Sequence, residues 1–219
     1  MKLMHVDSSA KRETSNSRAL SKYFVELLQG RIDDLQVDYL DLALEAPPHV
    51  SAEFARATYT PAEQRTPAMS ATLADSDALC QRLLQADALL FAMPMYNWSM
   101  PSSFKAFIDA IVRAGVTYVA DEQGNLIGQL SRQKVLFLTT RGADLGAGSP
   151  YAHMDALTPS LRAAFGFIGV AAPQFVDAQP LQFADPEARA AGLARARWEL
   201  ERVAAQWAGS LVRSEGVPA

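Results

Sequence analysis

Three short segments carry the residue types that could bind a small ligand. The first, residues 8–17, ends in Ser15, Asn16 and Ser17, immediately before an apolar pattern with helical spacing. Hydroxyl groups and unpaired backbone N–H groups at the beginning of a helix favour an anion such as a phosphate monoester. Serine is also a preferred N-cap residue, so plain capping of the helix by Ser15 or Ser17 is the alternative interpretation.

The second segment, residues 94–101, holds two large aromatic side chains and an amide between two prolines. The aromatic residues are Tyr96 and Trp98, and the amide belongs to Asn97. Such a loop could lay a planar heterocycle against apolar side chains while the amide and the backbone meet its polar edge. The alternative is that these aromatic residues pack in the core, which we disfavour because loops at this end of a sheet are usually exposed.

The third segment, residues 139–143, combines an arginine with a glycine. Gly142 permits close approach of the backbone to a ligand, and Arg141 could sit beside a negative charge. By itself this segment identifies no particular ligand.

Apolar patterns predict the elements that position these segments. Strands are expected near residues 3–6, 35–40, 88–93, 134–140 and 171–176. Helices are expected near residues 17–29, 51–58, 68–85, 101–112 and 161–168 and from residue 185 onward, and a small hairpin near residues 117–127. The alternation predicts an α/β fold of the flavodoxin-like type, with a five-stranded parallel, doubly wound sheet and helices on both faces, in a single domain of residues 1–219. Ligands of such sheets bind beyond the carboxyl ends of the strands, where the three segments are expected.

Composition and charge exclude several classes of partner. The formal net charge is −4 and no run of Lys and Arg exceeds two residues, so a nucleic-acid partner is not expected. The longest strongly apolar runs, such as residues 88–95, are less than half of the ~20 residues that span a bilayer, so no membrane contact is expected. Asp7 interrupts the N-terminus too early for a signal peptide, which predicts a cytoplasmic protein.

Metal and nucleophile chemistry find little support. The three histidines, His5, His49 and His153, are scattered and lack acidic residues at ligand spacing, so no metal site is predicted. The single cysteine, Cys80, lies in a helical apolar pattern, which favours an inert packed thiol over a nucleophile. The motifs of serine esterases, P-loop proteins, zinc proteases and Rossmann dinucleotide-binding proteins do not occur.

Taken together, the three segments resemble those of the FMN-dependent NADH azoreductases, a flavodoxin-like family related to the NAD(P)H:quinone oxidoreductases. The resemblance extends from residue 1 to about residue 180. It rests on four stretches that occur in the family's order: Ser9 with Ser15, Asn16 and Ser17; residues 94–98; residues 113–118; and residues 165–170.

The resemblance implies a set of cofactor-binding residues. The FMN phosphate would be held by Ser9, Ser15, Asn16 and Ser17; the ribityl chain and isoalloxazine would be contacted by Pro94, Met95, Tyr96, Asn97 and Trp98; and the pyrimidine edge would be met by Thr140, Arg141, Gly142 and Ala143. Two departures are visible. Ala143 stands where the family commonly has a second glycine and is followed by an insertion-like segment, residues 144–150, and Trp98 stands where many members carry phenylalanine.

The implied activity is the transfer of two electrons from NADH, through the flavin, to quinones and aromatic azo compounds in a ping-pong sequence. No catalytic side chain is expected, because the flavin carries the chemistry, with the backbone N–H groups of Gly142 and Ala143 beside its N1–O2 edge. The family is dimeric, which implies a homodimer with active sites at the subunit boundary. The implied substrate pocket contains Trp98, and Tyr118 and Phe165 or Phe167 would reach across the boundary.

Two other functions stay open on the same fold. A flavodoxin-type carrier would bind FMN without NADH-linked turnover of its own. Carriers usually present a dense acidic surface, whereas here 20 basic residues nearly balance 24 acidic ones, which disfavours this alternative. A regulatory protein without flavin is the third possibility, since fold does not dictate function.

Overall fold

The structure, a computed structural model, describes the backbone of residues 1–214 and the side chains of residues 1–209. The last part of the predicted domain, residues 215–219, lies outside the described residues. The strands are β1 (Lys2–Asp7), β2 (Gln36–Asp41), β3 (Ala88–Pro94), β4 (Tyr118–Ala120), β5 (Leu126–Gly128), β6 (Lys134–Thr140) and β7 (Gln174–Ala178). Five of them form a parallel sheet in the order β2–β1–β3–β6–β7, and β4 and β5 pair separately as the predicted antiparallel hairpin.

Helices cover both faces of the sheet. They are α1 (Asn16–Gln29), α2 (Ala52–Tyr59), α3 (Pro67–Gln85), α4 (Ser102–Ile111), α5 (Leu157–Phe167) and α6 (Pro186–Ser214). The apolar residues of α1 and α6 pack on one face, and those of α3, α4 and α5 pack on the other. The predicted flavodoxin-like, doubly wound fold is therefore confirmed. Within residues 1–214 no helix is both long enough and apolar enough to span a membrane.

A cluster of phenylalanine rings lies beside the central strands. Phe91 on β3 and Phe137 on β6 stack with ring centroids 5.4 Å apart, and Phe165 of α5 lies 4.9 Å from each of them. Both strands are buried on both faces, as their continuous apolar sequences predict. At the sheet edge the prediction of a half-buried strand fails, because Val37 and Tyr39 of β2 are exposed.

The observed beginnings of α5 and β7 differ from the predicted ones. α5 begins at Leu157 rather than near residue 161, because the Asp155 carboxylate accepts hydrogen bonds from the backbone N–H groups of Leu157 and Thr158 at 3.0 and 2.9 Å. Pro159 is the third residue of α5, and a proline in the first turn is compatible with a helix. β7 begins at residue 174 rather than 171, since Pro173 has no N–H group to donate to a neighbouring strand.

Candidate functional site

The three predicted segments follow β1, β3 and β6, which are adjacent in the sheet. We call residues 8–17 the first loop, residues 94–101 the second loop and residues 139–143 the third loop. The backbone N–H of Ser8 donates to the carbonyl oxygen of Ala92 at 3.0 Å, which joins the first loop to β3. The N–H of Met95 donates to the carbonyl oxygen of Thr140 at 2.8 Å, which joins the second loop to the third. The chain moves outward in opposite directions from β1 and β3, so these loops lie at the switch point where ligands of doubly wound sheets bind.

In the first loop, Ser15 caps α1. Its hydroxyl oxygen accepts the backbone N–H of Arg18 at 3.4 Å and lies 3.0 Å from the hydroxyl of Ser17. The capping interpretation is therefore correct for Ser15. Within the described chain, however, the hydroxyl of Ser9 and the backbone N–H groups of Asn16 and Ser17 donate no hydrogen bond. These open donors at a helix N-terminus suit a phosphate group.

The second loop contains a strained two-residue turn. Tyr96 and Ser99 exchange two backbone hydrogen bonds of 2.9 and 3.0 Å around Asn97 and Trp98, whose φ angles are 48° and 68°. A turn with two positive φ angles normally takes Asn followed by Gly, so a tryptophan in the second position is costly, by about 1–2 kcal/mol. Backbone strain of this kind is concentrated at ligand sites. The Asn97 side chain is exposed and makes no hydrogen bond within residues 1–209.

A second aromatic side chain supports Trp98. The ring of Tyr151 stacks on it with a centroid distance of 5.9 Å and an interplanar angle of 28°, and the backbone N–H of Ala156 donates to the Trp98 carbonyl at 3.1 Å. Tyr151 directly follows the insertion-like segment, residues 144–150. Sequence reasoning missed Tyr151, since no local pattern pairs two aromatic residues so far apart in the chain.

In the third loop the Arg141 side chain is 2% exposed and binds groups of the protein itself. Its guanidinium donates to the carboxylates of Asp155 and Asp177 at 2.9 and 3.0 Å. It also donates to the hydroxyls of Thr139 and Thr158 at 2.9 and 2.7 Å. The negative charge beside Arg141 is therefore supplied by the protein. The backbone N–H of Arg141 donates to the Ala178 carbonyl and its carbonyl accepts the N–H of Leu181, both at 3.0 Å, so its cofactor contact stays a prediction.

The backbone of the same loop is open. The N–H groups of Gly142 and Ala143 donate no hydrogen bond within the described chain, whereas the Gly142 carbonyl accepts the N–H groups of Leu181 and Phe183 at 3.1 and 3.0 Å. A Cβ atom at position 142 would come within 2.9 Å of the Phe183 ring, so a larger residue there would require that exposed side chain to shift. Phe183 is 77% exposed beside this loop, and sequence reasoning did not select it.

The predicted pocket aromatics separate into two environments. Phe165 is 0% exposed and belongs to the phenylalanine core, so the prediction that it could line a substrate pocket is wrong. Phe167 is 42% exposed and lies 4.7 Å from Tyr118, centroid to centroid. Within residues 1–209 no ring contact joins this pair to Trp98.

The sheet order and the open donors at its switch point are those of a flavodoxin-like protein, and comparison with known proteins agrees. A family model described as "Flavodoxin-like fold" matches residues 1–203. The chain is 40% identical over 205 residues to the FMN-dependent NADH:quinone oxidoreductase of Nostoc punctiforme, covering 94% of this chain and 98% of that protein. It is 36% identical over 205 residues to the protein of the same name from Bordetella petrii, covering 94% and 96%. The chain therefore belongs to the flavodoxin-like family that includes the FMN-dependent NADH:quinone oxidoreductases.

Solved structures of azoreductases have the same fold. Azoreductase AzrA superposes with a TM-score of 0.85 at 22% identity, covering 94% of this chain and all (100%) of that one. An FMN-dependent NADH-azoreductase from Bacillus anthracis, solved in complex with FMN, superposes with a TM-score of 0.83 at 22% identity, covering 94% and 99%.

Proposed function

We propose that this protein is an FMN-dependent oxidoreductase that transfers two electrons from NADH, through the flavin, to quinones and aromatic azo compounds. One observation carries the proposal: three adjacent loops present open hydrogen-bond donors at the switch point of a chain that is 40% identical to an FMN-dependent NADH:quinone oxidoreductase. The names of the relatives supply the cofactor, the electron donor and the quinone, and azoreductases of the same fold suggest the azo acceptor.

The donor set fits FMN. A phosphate would be held by the Ser9 hydroxyl and the backbone N–H groups of Asn16 and Ser17, which donate no hydrogen bond within the described chain. The turn at Asn97 and Trp98, together with Met95, would contact the ribityl chain and the ring system. In the third loop the backbone N–H groups would meet the pyrimidine edge, where negative charge on the reduced ring gains most from fixed dipoles.

Bound FMN would supply the redox chemistry, accepting a hydride from NADH and then delivering two electrons to the acceptor, a ping-pong sequence. The chain's own contribution is to bind, orient and exclude water. Trp98 and Tyr151 provide a flat apolar wall, and Arg141 fixes the third loop through Asp155 and Asp177.

A homodimer with active sites at the subunit boundary is part of the proposal. Exposed apolar side chains lie on the β4–β5 hairpin, at Val119, Leu126 and Ile127, and the pair of Tyr118 and Phe167 adjoins them. Burial of this surface by a second copy would place Tyr118 and Phe167 at the boundary, where they would complete the pocket begun by Trp98. The cytoplasmic location is also proposed, in keeping with a lone, buried thiol at Cys80.

The decisive experiment is a visible spectrum of the purified protein with FMN, followed by NADH under anaerobic conditions and then by a quinone. We expect a bound flavin spectrum, bleaching by NADH and recovery with the quinone, with turnover by the protein alone. A bound flavin that NADH cannot reduce would favour the electron carrier instead. If the protein binds no FMN, the proposed function is wrong.

A matched pair of variants localises the phosphate. Ser15→Asp keeps a good N-cap residue on α1 but adds a negative charge to the first loop, so FMN affinity should fall by about tenfold or more. Ser51→Asp makes the same exchange at the N-cap of α2 and should leave FMN affinity unchanged. Equal FMN affinity in both variants would place the phosphate elsewhere.

A further inference from the structure

Arg18, in the first turn of α1, closes the first loop. Its guanidinium Nε and Nη2 donate to the carbonyl oxygen of Ser9 at 3.3 and 2.8 Å, while its backbone N–H donates to the hydroxyl of Ser15. Between these two ends of the loop, residues 10–14 make no hydrogen bond within the described chain. Arg18 is therefore the residue that joins Ser9 to the beginning of α1.

The remaining contacts of the Arg18 guanidinium anchor it to β2. Nη1 and Nη2 donate to the Asp41 carboxylate at 2.9 and 2.6 Å, and Nη1 also donates to the Tyr39 hydroxyl at 3.0 Å. A guanidinium has five N–H donors, and these three bonds together with the two to Ser9 use all five. The hydrogen bond to Asp41 raises the pKa of Arg18, so the pair stays charged.

A second carboxylate lies beside the pair, and the charge of Arg12 in the first loop also acts on Asp41. The Asp7 carboxylate lies 3.7 Å from the Arg18 guanidinium and accepts the hydroxyls of Ser21 and Tyr39 at 2.9 and 3.0 Å. Two carboxylates thus face one guanidinium, and the Arg18 and Asp41 side chains are only 12% and 9% exposed. Arg18 has neither a free donor nor an uncompensated charge to offer an anion.

We propose that Arg18 is a positioning residue for the FMN phosphate: it holds Ser9 and the N-terminus of α1 at the separation that the phosphate requires, without binding the phosphate itself. The inference rests on the proposed function, because it needs FMN to occupy this loop. Fixing both ends of an otherwise unbonded loop before binding removes part of the ordering cost, which appears as affinity.

The chain offers a close control in Arg82. This helical arginine also binds an aspartate of β2 with two hydrogen bonds, to Asp38 at 2.8 and 2.7 Å, and a backbone carbonyl, that of Tyr39, at 3.2 Å. It touches none of the three loops in these contacts. Arg82→Met therefore removes the same kind of interaction from the same strand without touching the first loop.

The test compares FMN with riboflavin, which lacks the phosphate, by fluorescence titration of Arg18→Met, Arg18→Lys and Arg82→Met. We expect Arg18→Met to weaken FMN binding by about tenfold and riboflavin binding by no more than about twofold. Arg18→Lys should lie between Arg18→Met and the wild type, because one ammonium cannot reproduce the fork that bonds Ser9 and Asp41 together. Arg82→Met should leave both affinities unchanged.

A general structural role would lower both affinities of Arg18→Met in the same proportion, and that result would overturn the inference. Asp41→Ala separates positioning from direct binding. Without Asp41, Arg18 should hold Ser9 less firmly, so FMN affinity should fall. Tighter FMN binding would overturn the inference, because it would show that a cation released from Asp41, either Arg18 or Arg12, binds the phosphate directly. Should Arg18→Met fail to fold, Arg18→Lys and Asp41→Ala carry the test.

The two proposals fail in different ways. Wild-type protein that binds no FMN contradicts the proposed function whatever the variants do. Wild-type protein that binds FMN and is reduced by NADH, together with an Arg18→Met variant of unchanged FMN affinity, contradicts only the role of Arg18.

Discussion

Trp98 and Tyr151 lie face to face, with ring centroids 5.9 Å apart, although one belongs to the turn after β3 and the other to the segment that precedes α5. The stack links Tyr151, the residue that follows the insertion-like segment, to the loop that would contact a flavin ring. Aromatic pairs contribute about 0.5–1.5 kcal/mol beyond the area that they bury. Tyr151 therefore helps to fix the orientation of the Trp98 ring.

Removing the Tyr151 ring should affect larger planar acceptors most. We expect Tyr151→Ala to raise the KM for a naphthoquinone by roughly two- to tenfold, with a smaller change for a benzoquinone, because a loosened Trp98 offers a less regular wall. Tyr151→Phe retains the ring and should behave like the wild type. The measurement is steady-state kinetics with both quinones at saturating NADH. Indistinguishable kinetics of the Ala and Phe variants would show that the stack has no part in acceptor binding.

The strained turn predicts an unusual response to glycine at Trp98. Glycine adopts a positive φ readily, so Trp98→Gly should be more stable than Trp98→Ala by about 1 kcal/mol in urea unfolding of the apoprotein. Trp198 is the control, since it lies inside α6 and is 56% exposed. There the order should reverse, with glycine about 1 kcal/mol less stable than alanine. If glycine were less stable than alanine at position 98 as well, the turn would be unstrained.

Much of the fold was predictable because burial leaves a periodic pattern in the sequence. The continuous apolar runs of β3 and β6 identified the central strands, and the loops after them followed from topology. Contacts between residues that are far apart in the sequence leave no such pattern. Arg141 finds Asp155 and Asp177 at separations of 14 and 36 residues, so the sequence could show its charge but not that the charge was already neutralised.

The different burial of Phe165 and Phe167 could not be predicted from the sequence either. Phe165 and Phe167 are two residues apart near the end of α5, where both the core and the surface accept an aromatic residue. Only the packing of α5 against β3 and β6 decides that the first is buried and the second exposed.

Cys80 should be chemically silent in the folded protein. The thiol is fully buried in α3, and burial raises its pKa to about 12, so almost no thiolate forms at neutral pH. We expect no reaction with a colourimetric disulfide reagent under native conditions and one equivalent in denaturant, with NADH oxidation unaffected by the reagent. Rapid labelling of the native protein, or loss of activity on labelling, would contradict this interpretation.

The ion pair of Arg141 with Asp155 predicts a pH dependence of stability. Burial raises the pKa of Asp155, but hydrogen bonds from Thr158 and the charge of Arg141 outweigh burial, so the folded-state pKa lies below its usual value. A depressed carboxyl pKa stabilises the fold at pH values above the unfolded pKa of about 3.9, and this stabilisation is lost as the pH falls through the folded pKa. The difference in free energy of unfolding between wild type and Asp155→Asn should therefore be largest near neutral pH and shrink below about pH 4.

Urea unfolding of the two proteins between about pH 7 and pH 3 measures this difference. Asp109→Asn is the control, because Asp109 pairs with Lys105 on the exposed surface of α4, where an ion pair contributes about 0–1 kcal/mol. Its difference from wild type should stay small over the whole range. A constant gap between wild type and Asp155→Asn down to low pH would mean that the charge of Asp155 contributes nothing to stability.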